Sequence, residues 1–190
     1  LLGDLAAPLY GHPDRALTLV GVTGTNGKST VVELCANILE AAGLPCGRIG
    51  TLGYTFAGDD LAAGRPAERT TPEASDLFRL LAAMRDRGAR AAAMEVSSHA
   101  LVQGRVRGAR FDVGLFTNLT RDHLDFHGDL ETYYSAKRRL FDVLKPGGRG
   151  VANLDDSSGR RLAGELGLVH TFGSSGSGAA VRPAGVDLDG

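Results

Sequence analysis

At 190 residues the chain suits one domain with an appendage, and such a length buries roughly 70% of the surface its unfolded form exposes. With 43% hydrophobic and 23% charged residues it reads as a globular protein, and a net charge of −1 gives no electrostatic reason to expect nucleic acid or a membrane as partner. No apolar run approaches the ~20 residues of a membrane span, the N-terminus is no signal peptide, and Cys35 and Cys46 form neither a metal spacing nor a disulfide framework, so a reducing cytoplasm is expected.

Residues 1–16 read as the remnant of a preceding domain or linker, and 17–190 as one nucleotide-binding domain without a further C-terminal domain. The chain opens on Leu1 rather than Met and runs out in "VRPAGVDLDG", which reads as one piece of a larger protein. "LTLVGV" (17–22) is a buried strand, followed by a glycine turn and the helix "STVVELCANILEAAG", where Leu34, Ile38 and Leu39 share a face. "GRIGTLGYTF" is a further strand, and 57–69 a loop. Thr71 can cap the next helix, with Pro72 at its first position and Glu73 in its first turn. Strands "ARAAAMEV" and "FDVGLFTN" follow, then the loop "LTRDHLDFHG" and a helix capped by Asp129 and ended by "KPGG". "GVANL", a short helix over 160–166 and "LVHTF" continue the alternation, and "GSSGSGAA" is a flexible surface loop. The fold class is therefore α/β, a mostly parallel sheet with helices on both faces.

"GVTGTNGKST" (21–30) has the make-up of a phosphate-holding loop. Its glycines let backbone amides turn toward an anion, and the helix N-terminus adds positive potential. Lys28 suits the β/γ phosphates and Ser29 a Mg²⁺ ion, although Val22 stands where the strict P-loop pattern has glycine. Glu95 closes an apolar strand at the edge where open α/β sheets bind ligands, and His123 follows another strand end between Asp122 and Asp125. Lys28, Lys137 and Lys145 are the only lysines among 21 basic residues, which makes Lys137 conspicuous inside a helix. Tyr133 and Tyr134 read as packing, and His127 as a loop or helix-entry residue.

"TGTNGKS", "RTTPE", "MEVSSHALVQGRV", "FTNLTRDHLDFHG" and "YYSAKRRLF", in this order, resemble the MurE-type branch of the Mur ligase family, over about 17–172. The resemblance implies a central ATP-binding domain of an ATP-dependent amide ligase of peptidoglycan precursor synthesis. Such a ligase activates a carboxylate of UDP-MurNAc-L-Ala-D-Glu as an acyl phosphate and adds diaminopimelate or lysine. It implies that Gly24, Thr25, Asn26, Gly27, Lys28, Ser29, Thr30 and Asn118 hold ATP. Ser29, Glu95, His123 and a carbamylated Lys137 would hold two Mg²⁺, with Lys28, Glu95, His123 and Lys137 at the chemistry. Thr70, Thr71, Ser97, Gln103 and Arg105 would contact the UDP-MurNAc-dipeptide. The partners implied are that dipeptide and an amino acid, for a monomer whose isolated fragment binds nucleotide weakly and completes no ligation. A folylpolyglutamate synthetase, a P-loop kinase or NTPase, and a non-catalytic nucleotide-binding module are the alternatives.

Overall fold

A computed structural model describes residues 2–62, 69–122, 124–168, 170–174 and 176–182. Helices α1 (Leu2–Leu9) and α2 (Pro13–Ala16) lead into β1 (Thr18–Thr23), α3 (Lys28–Ala41), β2 (Cys46–Gly50), β3 (Gly53–Phe56) and β4 (Asp59–Asp60). Then come α4 (Ala74–Asp86), β5 (Ala91–Glu95), α5 (Ser98–Val102), β6 (Phe111–Phe116), α6 (Leu124–His127) and α7 (Leu130–Asp142). The described chain closes with β7 (Leu144–Asn153), α8 (Ser157–Leu166) and β8 (His170–Phe172).

The strands lie in the order β4-β3-β2-β5-β1-β6-β7-β8. Among the described residues, pairing is parallel from β2 across to β8, and only β2–β3 and β3–β4 are antiparallel. β1 and β5 are buried along almost their whole length, as expected of central parallel strands covered on both faces. One face is covered by α3, which packs Val32 and Ala36 onto Val20, Val22, Cys46, Ala91 and Ala93. The other carries the larger core, in which α1, α4, α5, α7 and α8 enclose Leu19, Ala92, Met94 and Phe116. Ala6 and Ala7 of α1 belong to this core.

Several local expectations are corrected. "GRIGTLGYTF" is not one strand but the hairpin β2–β3, turned at Thr51 and Leu52 between the paired Gly50 and Gly53. The loop expected over 57–69 contains the short β4, and 63–68 fall outside the described residues. On α3 the buried positions are Val32 and Ala36, whereas Leu34 and Ile38 stand 55% and 67% exposed. Apolar positions cover more than half of the helix, with Glu33, Asn37 and Glu40 on the remaining stripe, so its period did not single out the face that meets the small side chains of β5. Thr71 caps nothing, because α4 starts at Ala74 with Glu73 before it and no side-chain cap. "KPGG" does not end α7 but belongs to β7, which begins irregularly where its pairing with β6 shifts register. The Gly/Ser tract is tied back, with Ser174 bonded to Asp155 and Val181 bridged to Phe172.

Asp129 caps α7 through Thr132 N–H, as expected. Asp156 caps α8 through Gly159 N–H at 3.0 Å and with its other oxygen accepts Leu119 N–H at 3.1 Å, tying the segment after β6 to the helix. Asp156→Ala should lower the unfolding free energy by about 2 kcal/mol. The check is urea unfolding, where the midpoint falls at unchanged slope; an unmoved midpoint would refute the tie.

Candidate functional site

The glycine loop lies where β1 ends at the middle of the sheet, between β5 and β6. Gly24 has φ +147° and Gly27, just before α3, φ +80°, a region that favours glycine. A Cβ on Gly24 would collide with Thr117 Oγ1, whereas one on Gly27 would meet open space. The first intrahelical bond is Val31 N–H to Gly27 O at 3.0 Å, so among the described residues the amides of Lys28, Ser29 and Thr30 precede it as unclaimed helix-start donors.

The segment after β6 grips this loop. Asn118 Oδ1 accepts Asn26 N–H at 2.9 Å, while Asn118 Nδ2 and the Thr117 hydroxyl donate to Asn26 O at 3.1 and 2.7 Å. Thr25 N–H donates to Asn118 O at 2.9 Å, and the Thr25 hydroxyl accepts Thr120 N–H at 3.0 Å and lies 3.3 Å from the Tyr133 hydroxyl. Lys28 folds back, donating through Nζ to Gly24 O at 3.0 Å and Thr25 O at 2.7 Å.

Lys137 reaches the same loop from α7. It is 1% exposed, donates through Nζ to Gly24 O at 2.7 Å, and rests 4.4 Å above the Tyr133 ring centroid. Burial, reinforced by the Lys28 charge and opposed by Asp122, lowers its pKa to about 7. Burial lowers Lys28 as well, against the pull of Glu95 and Asp122. Tyr133, expected only to pack, therefore supports Lys137 with its ring and the loop with its hydroxyl.

Glu95 is 2% exposed, and its Oε1 accepts the Ser29 hydroxyl and Thr51 N–H, each at 2.8 Å. The hairpin turn joins this carboxylate to the neighbouring hydroxyls, since Thr51 Oγ lies 3.0 Å from Thr70 Oγ. Instead of capping, the Thr71 hydroxyl donates to Glu95 O at 2.9 Å and accepts Ser97 N–H at 3.0 Å. Ser97 caps α5 through Ala100 N–H. Arg105, 7% exposed, donates to Thr71 O at 3.1 Å and to Gln103 Oε1, and its Nε lies 3.1 Å from Glu73 as a charge contact without hydrogen-bond alignment.

Two groupings thus form around the loop, Lys28 with Lys137 at Gly24 and Ser29 with Glu95, and Thr70, Thr71, Ser97, Gln103 and Arg105 continue from the second. Thr30 is exposed. His123 lies outside the described residues, and among those described no group of three or more His, Cys, Asp or Glu could hold a metal ion. His127, read as a loop or helix-entry residue, is the last residue of α6 and is buried, with Nε2 2.9 Å from the Ser98 hydroxyl. Thr51 and Thr117 were not singled out in the sequence, since small hydroxyls carry no signal of their own there, and Glu73 was read only as a first-turn acid. Among the described residues no helix is long and apolar enough to cross a membrane.

The profile of the Mur ligase middle domain matches residues 22–188. The UDP-N-acetylmuramoyl-L-alanyl-D-glutamate--2,6-diaminopimelate ligase of Pseudomonas aeruginosa is 53% identical over 165 residues, covering 86% of this chain and 33% of that protein. The ligase of the same name from Geobacter metallireducens is 48% identical over 179 residues, covering 90% and 34%. The chain thus spans about a third of the length of these relatives. A solved structure of a ligase of that name superposes with TM-score 0.78 at 30% identity, over 94% of this chain and 38% of that one. Escherichia coli FolC, in complex with DHPP and ADP, gives 0.65 at 22% identity, over 90% and 46%, a likeness of fold alone.

The lowered pKa of Lys137 sets a pH dependence. Below about pH 7 both folded and unfolded chains hold the proton and the cost of burying the cation is felt in full. Between about 7 and 10.5 only the unfolded chain holds it, so raising the pH favours the folded state. Wild-type stability measured against Lys137→Met by denaturant unfolding should therefore climb from pH 7 to pH 10, and a flat difference would refute the shift.

Proposed function

We propose, from the premise that this chain belongs to the Mur ligase family as its middle domain, that it is the ATP-binding segment of a ligase adding 2,6-diaminopimelate to UDP-MurNAc-L-Ala-D-Glu. The observation that carries the reading is the two-sided hold on one glycine loop, by Lys137 through Gly24 O and by Glu95 through Ser29. The donor set fits a triphosphate: open space over Gly27, unclaimed helix-start amides, and Lys28 close enough to its own loop to exchange carbonyl acceptors for phosphate oxygens. In this P-loop variant, residues 24–30 and Asn118 hold the nucleotide.

The fit to magnesium rests on Glu95. Its carboxylate is buried and hydrogen-bonded, yet among the described residues it forms no ion pair, which leaves its charge for a cation. Ser29, Glu95, His123 and Lys137 are the residues to hold two Mg²⁺. The fit to carbamylation rests on Lys137, since reaction with CO₂ needs a neutral amine and burial supplies one near neutral pH. ATP and its metals would supply the phosphoryl group and charge neutralisation at the substrate carboxylate. The chain's own part is to orient: Asn118 and Thr117 fix the loop, and Tyr133 fixes the Lys137 amine. Thr70, Thr71, Ser97, Gln103 and Arg105 offer hydroxyl, amide and guanidinium donors to the UDP-MurNAc-dipeptide. Residues 1–16 are the remnant of an N-terminal domain or linker, and 17–190 form the nucleotide-binding unit, acting as a monomer.

In calorimetric titrations, the 190-residue chain should bind a non-hydrolysable ATP analogue with Mg²⁺, and Lys28→Ala should weaken that binding at least tenfold. In ¹³C-bicarbonate the chain should give a carbamate carbonyl NMR signal that Lys137→Arg abolishes. Joined to flanking segments like those of its relatives it should form the tripeptide product from diaminopimelate, while the chain alone forms none. Glutamylation of a folate instead, or ATP turnover indifferent to the muramyl dipeptide, would sink the reading.

A further inference from the structure

The edge of the sheet opposite the glycine loop carries a second concavity. Its walls come from segments at the N-terminal ends of β1, β6 and β7: α1 and α2, the turn over 104–110, and the end of α7. The crevice has a volume of about 670 Å³, within the range of small-molecule clefts. It is a built feature, because α1 meets the turn backbone to backbone: a Cβ on Gly3 would strike Arg107 O, and one on Gly108 would lie 2.6 Å from Gly3 O.

Asp14 lies in its wall, 1% exposed, and among the described residues its Oδ1 has no hydrogen-bond partner. A buried carboxylate oxygen left without a donor is costly and rare. Cations line the same crevice without reaching it. Arg107 is committed to Asp4 at 2.7 Å, and Arg110 leans on the Asp142 carbonyl at 3.5 Å. Arg15 and Arg139 also line the crevice, and among the described residues neither has an ion pair. The wall therefore offers an acceptor lacking a donor and, apart from it, two guanidinium groups lacking an anion.

We propose that this crevice is a second small-molecule site, taking a ligand that carries both an ammonium group and an anionic group. The ammonium supplies the donors that Asp14 lacks, and the anion, a carboxylate or a phosphate, lies between Arg15 and Arg139 in the forked geometry guanidinium favours. The site is independent of the nucleotide reading, since it lies at the other end of the strands and shares no residue with the glycine loop.

Phosphoethanolamine and glycine are the two probes, one for each kind of anion, with methylamine and inorganic phosphate as one-headed controls. Calorimetric titrations use the 190-residue chain in a Lys28→Ala background, so that the glycine loop contributes nothing. At least one probe should bind tenfold or more tighter than either control, and whichever does so identifies the anion. Asp14→Asn should weaken that binding at least tenfold without lowering Tm, because it removes an unpaired buried charge. The double variant Arg15→Ala, Arg139→Ala should weaken it likewise, and decides the matter should Asp14→Asn fold poorly. Failure of both probes to exceed the controls, or binding untouched by these substitutions, would overturn the proposal.

Discussion

The carbonyl oxygen of Gly24 accepts from Lys28 at 3.0 Å and from Lys137 at 2.7 Å, and the chemistry available to the loop depends on that shared acceptor. Two ammonium groups on one carbonyl repel, and burial magnifies the repulsion because little water screens it. The conflict resolves unequally. Lys28 is partly accessible and has Glu95 and Asp122 acting in its favour, whereas Lys137 is 1% exposed and sits on an aromatic face. The proton therefore leaves Lys137 first, so the loop has a cation at Lys28 and, beside it, an amine that gives up its proton around pH 7.

That arrangement requires α7 to come close to β1, and the approach is written into a glycine. Gly21 lies in the middle of β1, where a Cβ would stand 3.0 Å from Leu140 Cδ1 and 2.8 Å from the Phe111 ring. Its missing side chain lets Leu140 settle onto the strand, and Lys137, three residues earlier on the same helical face, is carried over the start of the loop. Tyr133, one turn earlier again, meets Thr25. A small residue in a strand, a leucine on a helix and a lysine at the site are thus linked by one packing contact.

Much of this was legible in the sequence, and the remainder was hidden for physical reasons. β1, β5 and β6 announced themselves as apolar runs because central parallel strands are buried on both faces. The loop's place was legible because glycines, lysine and hydroxyls gather at a strand-to-helix turn, and they lie there between β1 and α3. The β2–β3 hairpin was not, since "GTLG" interrupts a strand-like run without proline or asparagine. Thr71 was read by its local pattern as a cap, but a tertiary contact, the carbonyl of Glu95, took its hydroxyl. Tyr133 was read as packing because sequence spacing cannot reveal that a ring lies beneath an amine 4.4 Å away. Pairings such as Thr51 with Glu95 join residues 44 positions apart and appear only once the sheet is assembled.

Among the described residues two carboxylates are buried, Glu95 at the end of β5 and Asp14 on α2 ahead of β1, and their surroundings differ. Glu95 ends β5, and one of its oxygens is met by a hydroxyl and a backbone amide, so the cost of removing it from water is offset while its negative charge remains. Those donors also fix its direction, because the Thr51 amide belongs to a hairpin and Ser29 to the first turn of α3. Asp14 precedes β1 and has no such donor at Oδ1. Under the proposed function, the hydrogen bonds that fix the direction of Glu95 suit its carboxylate to a cation. Unsatisfied as well as charged, Asp14 asks for hydrogen-bond donors and positive charge together, which an ammonium group supplies and a bare metal ion does not.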